Sequence, residues 1–162
     1  MRGIRRPKEH SALIDMLDQR DPATGEKVFP FKKATLCYAA VLGFQRGKKV
    51  TLPEGNLDTI EWHTFQNGDY TDYIYLVALA HTRDVNVLGY DVATSNPGDF
   101  PEDMVGIFEE YANGGLEIMQ GWLRKRPDDV YGRDAIISGL KKHGFLDLTK
   151  EVDEAAFDND VF

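Results

Sequence analysis

The side chains best suited to chemistry in this sequence are four histidines, one cysteine and a scatter of carboxylates. His10, His63, His81 and His143 stand far apart, and none belongs to a His-x-His or HExxH ligand pair. The densest combination is Glu61-Trp62-His63 with Asp58, Asp69 and Asp72 close in sequence. Such a set could hold a divalent cation for phosphodiester cleavage. The spacing of a PD…(D/E)xK nuclease does not follow, because no lysine lies between Lys49 and Lys125. Cys37 falls on the apolar face of a helical stretch, which reads as a small buried hydrophobe. One cysteine makes no internal disulfide and no zinc site by itself. There is no GxxxxGK[ST], no GxGxxG after a strand and no GxSxG, and Ser11, Ser95 and Ser138 sit in helical or connector contexts and are assigned no histidine partner. No catalytic residue, metal or cofactor is assigned, and a non-enzyme is expected.

Cations carry the strongest binding signal. Arg2, Arg5, Arg6 and Lys8 crowd the N-terminus, Lys32 and Lys33 open a helical stretch, and Arg46, Lys48 and Lys49 close it. These nine side chains are the candidate DNA contacts, since guanidinium forks and ammonium groups suit phosphate oxygens. A second cluster, Arg124-Lys125-Arg126, runs straight into Asp128 and Asp129 and reads as a favourable helix end instead. The charge is uneven along the chain. Residues 1–50 hold 11 basic and 5 acidic side chains, an excess of +6, whereas residues 51–162 hold 8 and 22, an excess of −14. Either the basic third faces a polyanion, or the two parts pair with each other or simply solvate a surface. The net charge of −8 disfavours tight non-specific DNA binding, which needs a dense positive footprint.

The elements that must position these groups follow from periodicity. Leu13, Ile14 and Leu17 form a stripe in a helix beginning near Glu9. Leu36, Cys37, Ala40, Val41 and Phe44 mark a helix over Phe31–Arg46, stopped by Gly47. Thr59–Phe65 alternates like a short strand, and Tyr70–His81 reads as a helix with a strand as the rival. Residues 82–100 read as a connector, with Asp99 as an N-cap before Phe100-Pro101. Met104, Ile107, Phe108 and Tyr111 give a helical face that Ala112-Asn113-Gly114-Gly115 interrupts. That break predicts a tight corner with a glycine at positive φ, or else close packing against a partner. Helices over Leu116–Arg124 and Asp134–His143 follow, the last stopped by Gly144. The fold class is mainly α, one compact domain of five or six helices. The second option adds a short β-hairpin from residues 26–30 and 59–65. Residues 1–8 form a basic arm, 9–150 the helical domain, and 151–162 an acidic tail with five acids and no base, expected to be disordered or a docking peptide.

The length of 162 residues suits one domain, and no uncharged apolar run approaches the ~18–20 residues of a membrane span. No apolar stretch follows the charges of Met1–Pro7, so a secretory signal is not expected and a reducing cytoplasm is.

Three stretches together resemble a known family. They are Ile4-Arg5-Arg6-Pro7-Lys8-Glu9-His10, the helix Ala34…Ala39-Ala40-Val41-Leu42-Gly43-Phe44…Arg46-Gly47, and the string Phe108-Glu109-Glu110-Tyr111-Ala112-Asn113-Gly114-Gly115-Leu116-Glu117. The chain is similar over about residues 4–120 to the DNA phosphorothioation (dnd) system-associated proteins, small prokaryotic proteins encoded beside the machinery that puts sulfur into the DNA backbone and its linked restriction genes. The resemblance implies an accessory protein of a phage-defence or restriction-modification system, with proteins of the phosphorothioation or linked restriction complex as partners. Homo-oligomerisation is a further option, and no membrane is involved. The resemblance carries no catalytic residue with it. The alternative is a DNA-binding regulator of the same gene cluster, although no helix-turn-helix spacing supports one. A metal-dependent nuclease component ranks third.

Overall fold

In the computed structural model, which describes residues 1–89 and 103–144, one long helix organises the rest. The chain opens with strand β1, Ile4–Pro7, and a 3-10 turn, Lys8–His10, that leads into α1, Ser11–Leu17. Helix α2 spans Lys32–Gln45, and strand β2 spans Leu57–Ile60. Then come α3, Trp62–Gln66, and α4, Thr71–Thr82, with a 3-10 turn over Val85–Gly89. Helix α5 runs from Met104 to Arg124 and α6 from Arg133 to Lys142. The mainly α architecture is as expected, with a two-stranded sheet added.

The sheet is not the hairpin anticipated from residues 26–30. β1 and β2 pair antiparallel in the register Ile4↔Ile60, Arg5↔Thr59, Arg6↔Asp58 and Pro7↔Leu57. The N-terminal segment is thus a strand of the domain rather than a free arm. Ile4 is its anchor, fully buried, while the Lys8 amide extends the ladder by donating to the Asn56 carbonyl at 2.8 Å. β2 is also shorter than the alternation implied, because Glu61 turns the chain into α3 and Phe65 drops into the core as a helical residue.

The predicted corner at Ala112–Gly115 does not exist. α5 passes through it as 21 unbroken residues, and neither Gly114 nor Gly115 has a positive φ. Asp103 is the N-cap of this helix, its side chain accepting the Gly106 amide. The glycines are there for contact. A Cβ on Gly115 would overlap the carbonyl of Ala39, one on Gly114 the carbonyl of Lys48, and one on Gly43 the carbonyl of Tyr111. α2 and α5 therefore cross backbone to backbone, a close approach that only residues without side chains allow. Gly47 and Gly144 do stop α2 and α6 with φ of 64° and 77°.

Around this crossing lies the core. Leu13, Ile14 and Leu17 of α1, Leu36 and Ala40 of α2, Ile74 and Val77 of α4, and Ile107, Phe108, Leu116 and Met119 of α5 are all buried. Phe65 meets Phe108 edge-on with ring centroids 6.1 Å apart. Cys37 is buried as expected, its thiol 3.8 Å from the Tyr70 carbonyl. The acidic tail, residues 90–100 of the expected connector and the Asp99–Pro101 helix start lie outside the described residues.

Candidate functional site

The nine predicted DNA-contacting cations are dispersed, and most already hold a protein partner. Arg2 bonds Glu109 at 2.6 Å and Asp103 at 3.3 Å, and Arg5 bonds the other oxygen of Glu109 at 3.0 Å. Arg6 is buried, pairs with Asp58 at 3.1 Å and donates to Ser11 Oγ at 2.9 Å. Lys8 reaches the same Asp58 at 3.9 Å. Lys48 pairs with Glu117 at 2.9 Å and Lys49 with Glu110 at 3.1 Å. Lys32 bonds Asp15 at 2.7 Å. Lys33 is buried, donates to the carbonyls of Thr64 and Asn67, and lies over the Tyr70 ring at 4.5 Å. Arg46 stands apart, exposed at the end of α2 with no carboxylate partner among the described residues. The two parts of the chain therefore pair with each other: Arg2, Arg5, Arg6, Lys8, Lys48 and Lys49 all take acids from beyond residue 50.

Glu109 is the centre of this pairing. Its side chain is 1% exposed, and it receives both arginines and the backbone amide of Arg5 at 2.6 Å. A buried carboxylate is costly unless its lone pairs are filled, and here charge-assisted donors fill them. The same contact acts on Arg2. Burial alone lowers its pKa, but the hydrogen bond and charge of Glu109, with those of Asp103, outweigh this and hold the guanidinium charged.

One turn along α5 lies Asn113, also buried. Its Nδ2 donates to the carbonyls of Val50 and Thr51 at 3.2 and 3.4 Å, so its Oδ1 is left to accept. His10 Nε2 therefore carries the hydrogen in the 3.0 Å bond between them. Asn113, one turn from Glu117, lines with it and Glu9 a cavity of about 640 Å³ between the β1 end, the 50–56 loop and α5. A histidine oriented by an amide is half of a nucleophilic site. The other half is missing, since His10 bonds no serine, threonine or cysteine among the described residues. Cys37 is packed elsewhere, and burial pushes its pKa up to about 12 against the pull of Lys33. His10–Asn113 acts as a pin joining the N-terminal turn, the 50–51 loop and α5.

The carboxylates once grouped with His63 do not converge. Asp58 is held by Arg6 and Lys8, and among the described residues no three His, Cys, Asp or Glu side chains are placed to hold a metal ion. His81 instead bonds the Tyr111 hydroxyl at 3.0 Å.

Sequence reasoning missed an apolar surface. α4 exposes Tyr73 and Leu76, one turn apart, at 42% and 58%, and the 3-10 turn packed beside it exposes Val85 and Leu88. The signal was the uniform apolar character of residues 73–80, too rich for one buried stripe.

The family model for DNA sulphur modification system-associated protein 4 matches residues 3–159. The chain belongs to this family. The match runs past residue 120, so the segment from Asp128 onward is part of the family's pattern as well. No curated protein and no solved structure matches the chain. Membership ties the chain to a DNA sulphur modification system, and no helix among its described residues is long and apolar enough to cross a membrane.

Proposed function

We propose that this protein is a non-catalytic accessory subunit of its DNA sulphur modification system, working by contact with another protein of that system. The observation that carries the reading is the apolar surface of α4 and the 3-10 turn after it, where Tyr73, Leu76, Val85 and Leu88 stand exposed on adjacent elements. Large apolar side chains exposed together on adjacent elements are a mark of protein interfaces. The ion pairs at Arg2, Arg5 and Arg6 add support, because a DNA contact through the N-terminal segment has to open them first.

The experiment is co-purification of the full chain with the other proteins of its system after nuclease treatment, in wild type and Leu76→Asp. Leu76 is 58% exposed, so the variant folds. Partner recovery from wild type and its loss in Leu76→Asp is the expected result. Equal recovery from both removes this surface from the account. Recovery that vanishes on nuclease treatment favours the second reading, a DNA-binding regulator.

A further inference from the structure

Three helices end in a basic residue, and the charges of Arg46, Lys125 and Lys142 all act on His143. Arg46 caps the C-terminus of α2, Lys125 that of α5 and His143 that of α6, with Lys142 in the last turn of α6. α5 packs against both other helices. The His143 ring stacks on Trp122 of α5 with centroids 5.8 Å apart and planes at 25°. Arg46, Lys125 and Lys142 are exposed, and none has a carboxylate partner among the described residues. This sets them apart from the cations of the N-terminal strand, which are committed to Glu109, Asp103 and Asp58.

Helix ends alone do not use up this charge. A helix C-terminus carries roughly −0.5 elementary charge, so three of them offset about half of three full cations. The two acids just after α5 make no ion pair with these cations among the described residues. Asp129 accepts the Ala135 amide at 2.8 Å and so serves the start of α6, and Asp128 is exposed. Among the described residues these cations keep charge that no carboxylate pairs, on a chain of net charge −8.

We infer that Arg46, Lys125, Lys142 and His143 form a surface for the phosphodiester backbone of DNA. Exposed cations on three separate elements suit successive phosphates along an extended chain better than a single small anion. The choice of DNA among polyanions rests on membership in a DNA-modification family. The inference does not depend on the α4 surface. His143 reports on it. Partial desolvation first, then the positive charges of Arg46, Lys142 and Lys125, lower its pKa, and among the described residues no carboxylate acts on it. A phosphate placed among these cations offsets their charge and raises the imidazole pKa. Binding therefore takes up protons and strengthens as pH falls through the His143 titration.

The test is a salt titration of the full chain against a short mixed-sequence duplex. Arg46→Gln/Lys125→Gln/Lys142→Gln is compared with a charge-matched control, Lys8→Gln/Lys27→Gln/Lys32→Gln. The first variant should lose at least about tenfold in affinity at low salt, with a slope of log K against log salt shallower by about 2.7, or ~0.9 for each lost contact. The control should keep the wild-type slope. In parallel, NMR should show the His143 titration moving to higher pH with duplex added. Equal losses in the two variants, a His143 titration unmoved by DNA, or displacement of the duplex by polyglutamate at matched charge would each overturn the proposal.

Discussion

Glu109 does at one residue what the charge separation of the sequence only hinted at. It joins the N-terminal segment to α5 by accepting Arg2, Arg5 and the Arg5 amide on a carboxylate that is itself buried. Removing a partner from a buried ion pair costs about 3–5 kcal/mol. The two arginines are 33% and 45% exposed and recover some hydration, so Glu109→Ala should cost roughly 2–3 kcal/mol and lower the melting temperature by about 5–10 °C. A calorimetric scan checks this, and an unchanged transition would show that the ion pairs are decorative. Cys37 carries a second prediction at this scale. With its pKa at about 12, its thiolate fraction near pH 8 is only about one in ten thousand, and iodoacetamide should label it slowly until denaturant is added. His143 carries the third. Its folded pKa lies below the ordinary value near ~6.5, so its environment favours the neutral ring. Stability from this source is complete above about pH 6.5 and is lost as pH falls below it. Melting curves of wild type and His143→Gln should converge on acidification, and a gap that widens would reverse the sign.

At the scale of elements, the crossing of α2 and α5 fixes where everything else sits. Gly115→Ala forces a methyl into the Ala39 carbonyl and should destabilise by about 3 kcal/mol, the upper range for overpacking. Gly121→Ala on the same helix meets nothing within 4 Å and should stabilise by about 0.5–1 kcal/mol, from helix propensity alone. Urea unfolding of the two variants separates these signs, and two similar shifts would mean that the helices do not touch through their glycines. This contrast also marks what sequence pattern can and cannot say. The stripes of α1 and α2 were legible because an apolar face at period 3.6 has one cheap explanation, whereas α4 and α6 were legible as helices while Tyr73 and Ile137, apolar by type, stand exposed. Asn113-Gly114-Gly115 was misread because local propensity puts glycine pairs in turns, whereas burial under α2 keeps them helical. Only an unbroken α5 gives Glu109, Asn113 and Glu117 their common spacing of four, as a polar ridge against the 50–56 loop. The strand over Ile4–Pro7 was hidden for another reason: its partner is some fifty residues away, and no short-range signal pairs the two.

For the whole molecule, the account replaces a basic third facing outward with charge that is largely internal. The arginines of β1 and the lysines after α2 hold acids of β2 and α5, so the acidic excess of residues 51–162 is partly the counter-charge of the N-terminal residues. What remains on the outside is an apolar surface on α4 and a cationic one where three helices end. A free N-terminal arm would bind DNA without consequence for the fold. A paired one would not, and Arg5→Ala/Arg6→Ala should lower stability by at least about 1–2 kcal/mol, since Arg6 is buried on Asp58 and Ser11. Thermal unfolding of that variant at wild-type stability would return the segment to the role of an arm.

The central claim, that the protein serves its system by docking another protein on α4, is tested most directly by hydrogen exchange. The full chain would be mixed with the other proteins of the system after nuclease treatment, and amide exchange followed along its length. The account predicts new protection over Thr71–Thr82 and Val85–Gly89, with Ile4–Pro7 unchanged because β1 is already paired. Protection confined to Ile4–Pro7, or no protection over α4, would contradict it.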